Sequence, residues 1–176
     1  MTHAKSVRYG EQYLSASAAL LVGLAFFALW FWLLPGWLGF RVDLAGTARW
    51  RWLGAVPSAL GFAVALRCVW DFGWSGRGTP APIAPPRRLV VTGFYRYVRN
   101  PMYLGFAVGW IGLWVVFGHP NPVAILSVAA VALAVHLFVV FYEEPALRGK
   151  FGAEYETYCN NVRRWWPRIR PWSKPE

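Results

Sequence analysis

Negative charge is scarce in this sequence. Eight of its 176 residues are Asp or Glu, and charged residues of both signs make up 15%. That is too little for the surface of a soluble domain of this length, and a hydrophobic share of 57% is correspondingly too much. Cysteine is nearly absent. Cys68 falls in an apolar run and Cys159 towards the C-terminal end, so neither a disulfide framework nor a thiolate metal site is expected. The three histidines are scattered without ligand spacing, which speaks against a histidine metal centre. The middles of the apolar runs hold almost no ionisable side chains, whereas a membrane pathway for a polar solute ordinarily shows them. A small transporter is therefore the weaker reading.

What the sequence does have is long apolar runs. Those at about residues 14–34, 52–72, 101–118 and 122–142 approach the ~20 residues that cross a ~30 Å hydrocarbon core. Backbone in lipid must satisfy its own polar groups, so each run is predicted to be a helix. The expected fold class is an all-α integral membrane protein with four transmembrane helices, built as one domain over residues 1–176. The first run is longer than a signal-peptide core and has no small-residue cleavage site behind it, so it is expected to remain as a permanent helix. Trp30, Trp32, Trp37, Trp50 and Trp52 gather at one end of the first two runs, and Trp70 and Trp74 at the other, as interfacial aromatic belts do.

The net charge of +10 is unevenly placed. Of 18 Lys and Arg, 14 fall in three places: Lys5 and Arg8, the segment from Arg77 to Arg99, and the tail from Arg148 to Lys174. With four spans these lie on one side, and the positive-inside rule makes that side cytoplasmic, with both termini there. The expected location is a bacterial inner membrane. Contact with anionic headgroups of the bilayer accounts for the basic charge, and no nucleic-acid partner is expected.

Polar groups concentrate at the inner ends of the last two spans. Asn100-Pro101 places a favoured N-cap before a favoured first helical residue, so the third span should begin there, its free N–H groups facing the cytoplasm. The fourth span runs into FYEEP, where Pro145 should stop or kink the helix and leave Glu143 and Glu144 at the inner face. Acids there oppose the helix dipole, so a cation should compensate them, with Arg99 and Arg148 as candidates. The short GHPNP connection makes spans three and four an antiparallel hairpin, which brings Asn100–Tyr103 level with Tyr142–Glu144. Beyond Glu144, Leu147, Phe151, Tyr155, Tyr158 and Val162 form one helical stripe. Such a stripe lies on the membrane or folds back as a lid, and the sequence favours the membrane surface. The gathered helix N-terminus, carboxylates, tyrosines and arginines suit a zwitterionic ligand. Arg67 and Asp71, one turn apart, are expected to pair. His136 reads as a structural residue, with a substrate-facing role as the alternative.

The stretches GFYRYVRNPMYLG (Gly93–Gly105) and EEPALRGKFGAEYETY (Glu143–Tyr158), with Pro167 beyond them, resemble the isoprenylcysteine carboxyl methyltransferase family, itself related to membrane phospholipid methyltransferases. The family pattern runs G-x-Y, R-H-P-x-Y, a pair of glutamates and F-G-x-E-Y-x-x-Y. Gly93, Tyr95, Arg99, Pro101, Tyr103, Glu143, Glu144, Phe151, Gly152, Glu154, Tyr155 and Tyr158 match it here. The resemblance implies S-adenosylmethionine as cofactor, with S-adenosylhomocysteine as product, bound in a cytoplasmic-face pocket formed by residues 77–100 and 143–172. It assigns Arg88, Leu89, Val90, Tyr95, Arg99, Asn100, Pro101, Tyr103, Glu143 and Glu144 to cofactor binding, with the C-terminal amphipathic segment covering the pocket. Two positions depart from the pattern: the family's histidine is Asn100 here, and an arginine that the prenylcysteine enzymes carry four residues before the first glutamate is Val139.

The implied reaction is in-line transfer of a sulfonium methyl group to a lipid-like or small hydrophobic acceptor arriving from the bilayer. Alignment alone supplies roughly 7–11 kcal/mol in well-oriented cases. A carboxylate acceptor needs no base, whereas an amine or thiol must lose a proton, for which Tyr103 and Glu144 are the candidate catalytic residues. The acceptor classes are an isoprenylcysteine carboxylate, a phospholipid amine or a small thiol. The non-enzymatic alternatives are the transporter already weighed and an assembly factor.

Overall fold

The computed structural model describes residues 49–77, 86–117 and 122–173, with positions 17, 18, 20, 21, 23–25 and 28. Those early positions are all helical, and the rest of the expected first span, 14–34, lies outside the described residues. All regular structure among the described residues is helical. The chain forms two compact units, one of residues 1–41 and 66–96, the other of 42–65 and 97–176.

The expected second span is helix α1, Ala55–Asp71, led in by a 3-10 turn at Arg49–Gly54 and extended by a π-helical turn at Phe72–Gly76. The whole helical path, Arg49–Gly76, is 28 residues. At 1.5 Å per residue that is about 42 Å, beyond the ~30 Å of a hydrocarbon core. Arg77 ends it in the left-handed conformation, its N–H bonded to Phe72 O five residues back.

Within the first unit the chain after α1 folds back on the helix end. Gly76 O accepts the Arg87 N–H at 2.7 Å, and the Phe72 and Tyr95 rings meet edge to face at 5.6 Å. The predicted Arg67–Asp71 pair forms, Nε to Oδ1 at 3.2 Å, with Asp71 only 3% exposed. Gly93, at φ +54°, opens a 3-10 turn over Gly93–Arg96 and rests its α-carbon against the Asp71 carboxylate; a side chain there would run into Oδ2. That is why the segment GFYRYVRN begins with glycine.

In the second unit, helix α2, Pro101–Phe117, starts at the expected proline, packs on the 3-10 turn Arg49–Gly54 and approaches the first part of α1 closely. Its 17 residues span about 25 Å, shorter than the core of a bilayer. The two helices approach through small residues. A Cβ on Gly61 would collide with the backbone of Gly105 and Gly109, and one on Gly105 would strike Gly61 O. Ser58 Oγ lies 2.9 Å from Gly54 O and 3.1 Å from Gly109 O, able to donate its proton to either. Close approach through small residues with a hydroxyl between is how helices associate where no water drives them together.

Helix α3, Pro122–Phe138, passes into a second π turn, Val139–Glu143, and then α4, Glu144–Phe151. Pro145 therefore does not stop the helix. It sits in the first turn of α4, where the N–H it lacks has no partner to lose. The continuous apolar helix Ala129–Phe151 is 23 residues, also long enough to cross a membrane. Gly152, at φ +50°, turns the chain into α5, Ala153–Asn161. Here the structure corrects the sequence expectation: the stripe does not lie open for a membrane. Tyr155, Tyr158 and Val162 are buried in the unit, and Trp172 closes over Tyr158 at 5.6 Å between ring centres.

Gly61→Leu is expected to destabilise the protein by about 1–3 kcal/mol or more, read as a lower melting temperature in detergent, because backbone rather than a mobile side chain stands in the way. Gly149→Ala in α4, where nothing lies within 4 Å, should be neutral or stabilising by up to about 1 kcal/mol.

Candidate functional site

The site of interest lies in the second unit, where the start of α2, the π turn after α3 and the C-terminal segment converge. Its centre is Glu144, a carboxylate only 2% exposed. Arg164 grips it with two hydrogen bonds, Nε to Oε1 at 2.6 Å and Nη2 to Oε2 at 2.9 Å. Arg99 Nη1 stands 3.1 Å from Oε1, and Arg148 Nη2 3.7 Å from Oε2. A buried carboxylate is tolerated only when such partners replace its water. Hydrogen bonding to Glu144 in turn raises the Arg164 guanidinium above its ordinary value.

The same residues stitch the segment before α2 to the segment after α5. The Arg99 N–H bonds Arg163 O at 2.9 Å, the Asn100 side-chain amide donates to Arg164 O at 3.2 Å, and the Arg168 N–H bonds Tyr97 O at 2.9 Å. Arg99 Nη1 also donates to Cys159 Sγ at 2.9 Å. Beside it, burial first and Cys159 second push the Tyr155 phenol upward, so it stays protonated.

Next to this hub stands a second group. Tyr103 OH donates to Glu143 Oε2 at 3.0 Å, while the other oxygen of Glu143 has no partner among the described residues. The Trp165 ring lies 6.5 Å from that of Tyr103, and its Nε1–H donates to His136 Nδ1 at 3.0 Å. The neighbouring glutamates thus differ in circumstance: Glu144 is enclosed by guanidinium groups, and Glu143 keeps free acceptor capacity.

The structure brings together Arg99, Asn100, Pro101, Tyr103, Glu143 and Glu144. Of the other residues singled out in the sequence, Arg88, Leu89, Val90 and Tyr95 belong to the first unit, where Arg88 is exposed, Leu89 half-buried and Val90 and Tyr95 buried. Sequence reasoning missed Arg164 and Trp165. The available signal was the surplus of acid at FYEEP, which called for a cation; Arg99 and Arg148 were named for it, and the bidentate partner is Arg164.

Among the described residues no cluster of His, Cys, Asp and Glu could hold a metal. What remains is a membrane-type helical protein with a carboxylate–tyrosine pair beside a locked C-terminal segment. The chain belongs to the phospholipid methyltransferase family, whose model matches residues 50–154. It is similar to a probable protein-S-isoprenylcysteine O-methyltransferase of Oryza sativa subsp. indica, at 36% identity over 47% of this chain and 42% of the relative. It is also similar to protein-S-isoprenylcysteine O-methyltransferase A of Arabidopsis thaliana, at 37% identity over 42% of this chain and 36% of the relative. The matched stretch thus spans less than half the length of either relative. No solved structure matches the chain.

Glu144→Ala should cost about 3–5 kcal/mol, because it leaves partly buried guanidinium groups without a counter-charge. Limited trypsin digestion reads the effect locally: cleavage at Arg163 and Arg164 should become rapid while α1 and α2 stay protected.

Proposed function

We propose that the chain is an integral membrane methyltransferase that uses S-adenosylmethionine and methylates an acceptor partitioned into the bilayer. The observation carrying this is the Tyr103–Glu143 pair, with an unpartnered carboxylate oxygen, at the meeting point of two antiparallel apolar helices. The donor set suits the cofactor. An open carboxylate beside the N-terminus of α2 matches the ammonium or ribose hydroxyls at one end and the carboxylate at the other. Glu143 would hold the former, and the backbone N–H groups of Met102 and Tyr103, in the first turn of α2, would face the latter. The bound cofactor supplies an activated methyl group, so the protein's task is orientation and exclusion of water.

Tyr103 and Glu144 divide the work expected of them. Tyr103, half-buried and bonded to Glu143, would relay a proton to that carboxylate when the acceptor is an amine or thiol, and would orient the acceptor when it is a carboxylate. Glu144, whose oxygens are occupied by arginines, fastens the C-terminal segment as the cover of the site. The expected cofactor wall at Arg88, Leu89, Val90 and Tyr95 carries no part of this proposal. Four transmembrane helices with cytoplasmic termini complete it.

Two acceptors stand on separate observations: the carboxylate of a prenylated cysteine, from the relatives, and the amine of a phospholipid, from the family. Incubation with methyl-labelled cofactor and membrane extract distinguishes them, a base-labile ester marking the first and labelled lipid the second. Calorimetry with S-adenosylhomocysteine on detergent-solubilised protein tests the cofactor. Binding should weaken at least about tenfold in Glu143→Ala, which loses a charged hydrogen-bond acceptor, and persist in Lys150→Ala. Absence of binding to the unaltered chain at millimolar ligand would overturn the proposal. Tyr103→Phe should lower kcat by about 100-fold with an amine or thiol acceptor and far less with a carboxylate.

A further inference from the structure

We propose that His136 receives an oxyanion of the methyl acceptor, a carboxylate or a phosphate, through its Nε2–H. The inference rests on the methyltransferase proposal and names the acceptor's polar handle. His136 lies near the end of α3 in the run VALAVHLFVV, which holds no other ionisable residue. An ionisable group in an apolar membrane helix calls for a partner. One partner is visible: Trp165 Nε1 to His136 Nδ1, 3.0 Å.

That bond decides the state of the ring. An indole nitrogen only donates, so Nδ1 must present its lone pair, and the neutral imidazole then carries its proton on Nε2. The Nε2–H has no hydrogen-bond partner among the described residues. The described residues flanking it along α3 supply none. Leu133 and Leu137, on either side along α3, are 58% and 44% exposed, and acyl chains offer no acceptor. An amphiphile meets both demands, its chain along the leucines and its oxyanion on Nε2.

The contact also leads to the chemistry. The Trp165 ring that fixes His136 lies 6.1 Å from it and 6.5 Å from Tyr103, and Tyr103 is bonded to Glu143. An acceptor anchored on His136 is thereby presented towards the Tyr103–Glu143 pair. His136 acts as a donor and is not the base.

Nitrogen-15 spectra of histidine-labelled protein in detergent test this, with His136→Gln locating the resonance. The unaltered chain should show the Nε2-protonated tautomer. Titration with dodecanoate or dodecyl phosphate should shift that signal, and dodecanol should not; the anions should bind about tenfold or more tighter, as expected of a charged hydrogen bond. The stronger of the two anions identifies a carboxylate-bearing or a phosphate-bearing acceptor. His136→Phe should abolish the preference for anions, His136→Gln should keep part of it, and Trp165→Phe should release the tautomer and weaken binding. An Nδ1-protonated ring in the unaltered chain, or an anion preference surviving His136→Phe in folded protein, overturns the proposal. S-adenosylhomocysteine binding, measured in parallel, should change less than about twofold in His136→Phe, because the oxyanion handle belongs to the acceptor. Failure of the unaltered chain to bind it would instead strike the methyltransferase proposal.

Discussion

The buried carboxylate of Glu144 is the constraint on which the second unit depends. It carries full charge in a place with almost no water, and it is tolerable there only because guanidinium groups surround it. Those groups come from three parts of the chain: the turn before α2, the first turns of α4, and the segment after α5. Satisfying one side chain therefore gathers three segments far apart in sequence. Short backbone bonds between residues 97–99 and 163–168 accompany that gathering.

The adjacent carboxylate owes its availability to the same arrangement. Because Arg99 and Arg164 are committed to Glu144, and Arg148 is shared between Glu144 and Glu156, Glu143 meets a neutral tyrosine in place of a cation. One glutamate is spent on architecture, and its neighbour keeps a free oxygen for a ligand. Two identical side chains side by side thus acquire opposite uses from their surroundings. The aromatic bridge of Trp165 extends this polar patch to His136 and ties the C-terminal segment to α3 as well.

Much of this was legible in the residues. Apolar length foretold helices, Asn100-Pro101 the start of α2, the spacing of Arg67 and Asp71 their pair, and the short GHPNP connection the convergence of Tyr103 with Glu143. The stripe of Tyr155, Tyr158 and Val162 was visible too, but not its destination. An amphipathic face reads the same whether it meets lipid or protein, and what decides is the turn at Gly152 and the anchoring of Arg164, both products of tertiary structure. The partner of Glu144 was hidden for a related reason. Twenty residues separate it from Arg164, and no local rule connects positions across a chain reversal. Helical continuity through Pro145 was equally obscure, since the π turn that precedes it leaves no mark in composition.

That π turn has a consequence of its own. Glu144 bonds back to Val139, five residues earlier, so the segment holds one residue more than an α-helix would need for the same rise. Each residue advances a helix by about 100°, and the surplus one sets the rotational phase of everything beyond it. Changes of identity at 139–142 leave that phase untouched. Loss of a single codon with the π turn retained would carry Glu144 back to the place of Glu143 and set Pro145 before the arginines, leaving them without their carboxylate. At this point of the chain, residue number is held more tightly than residue type.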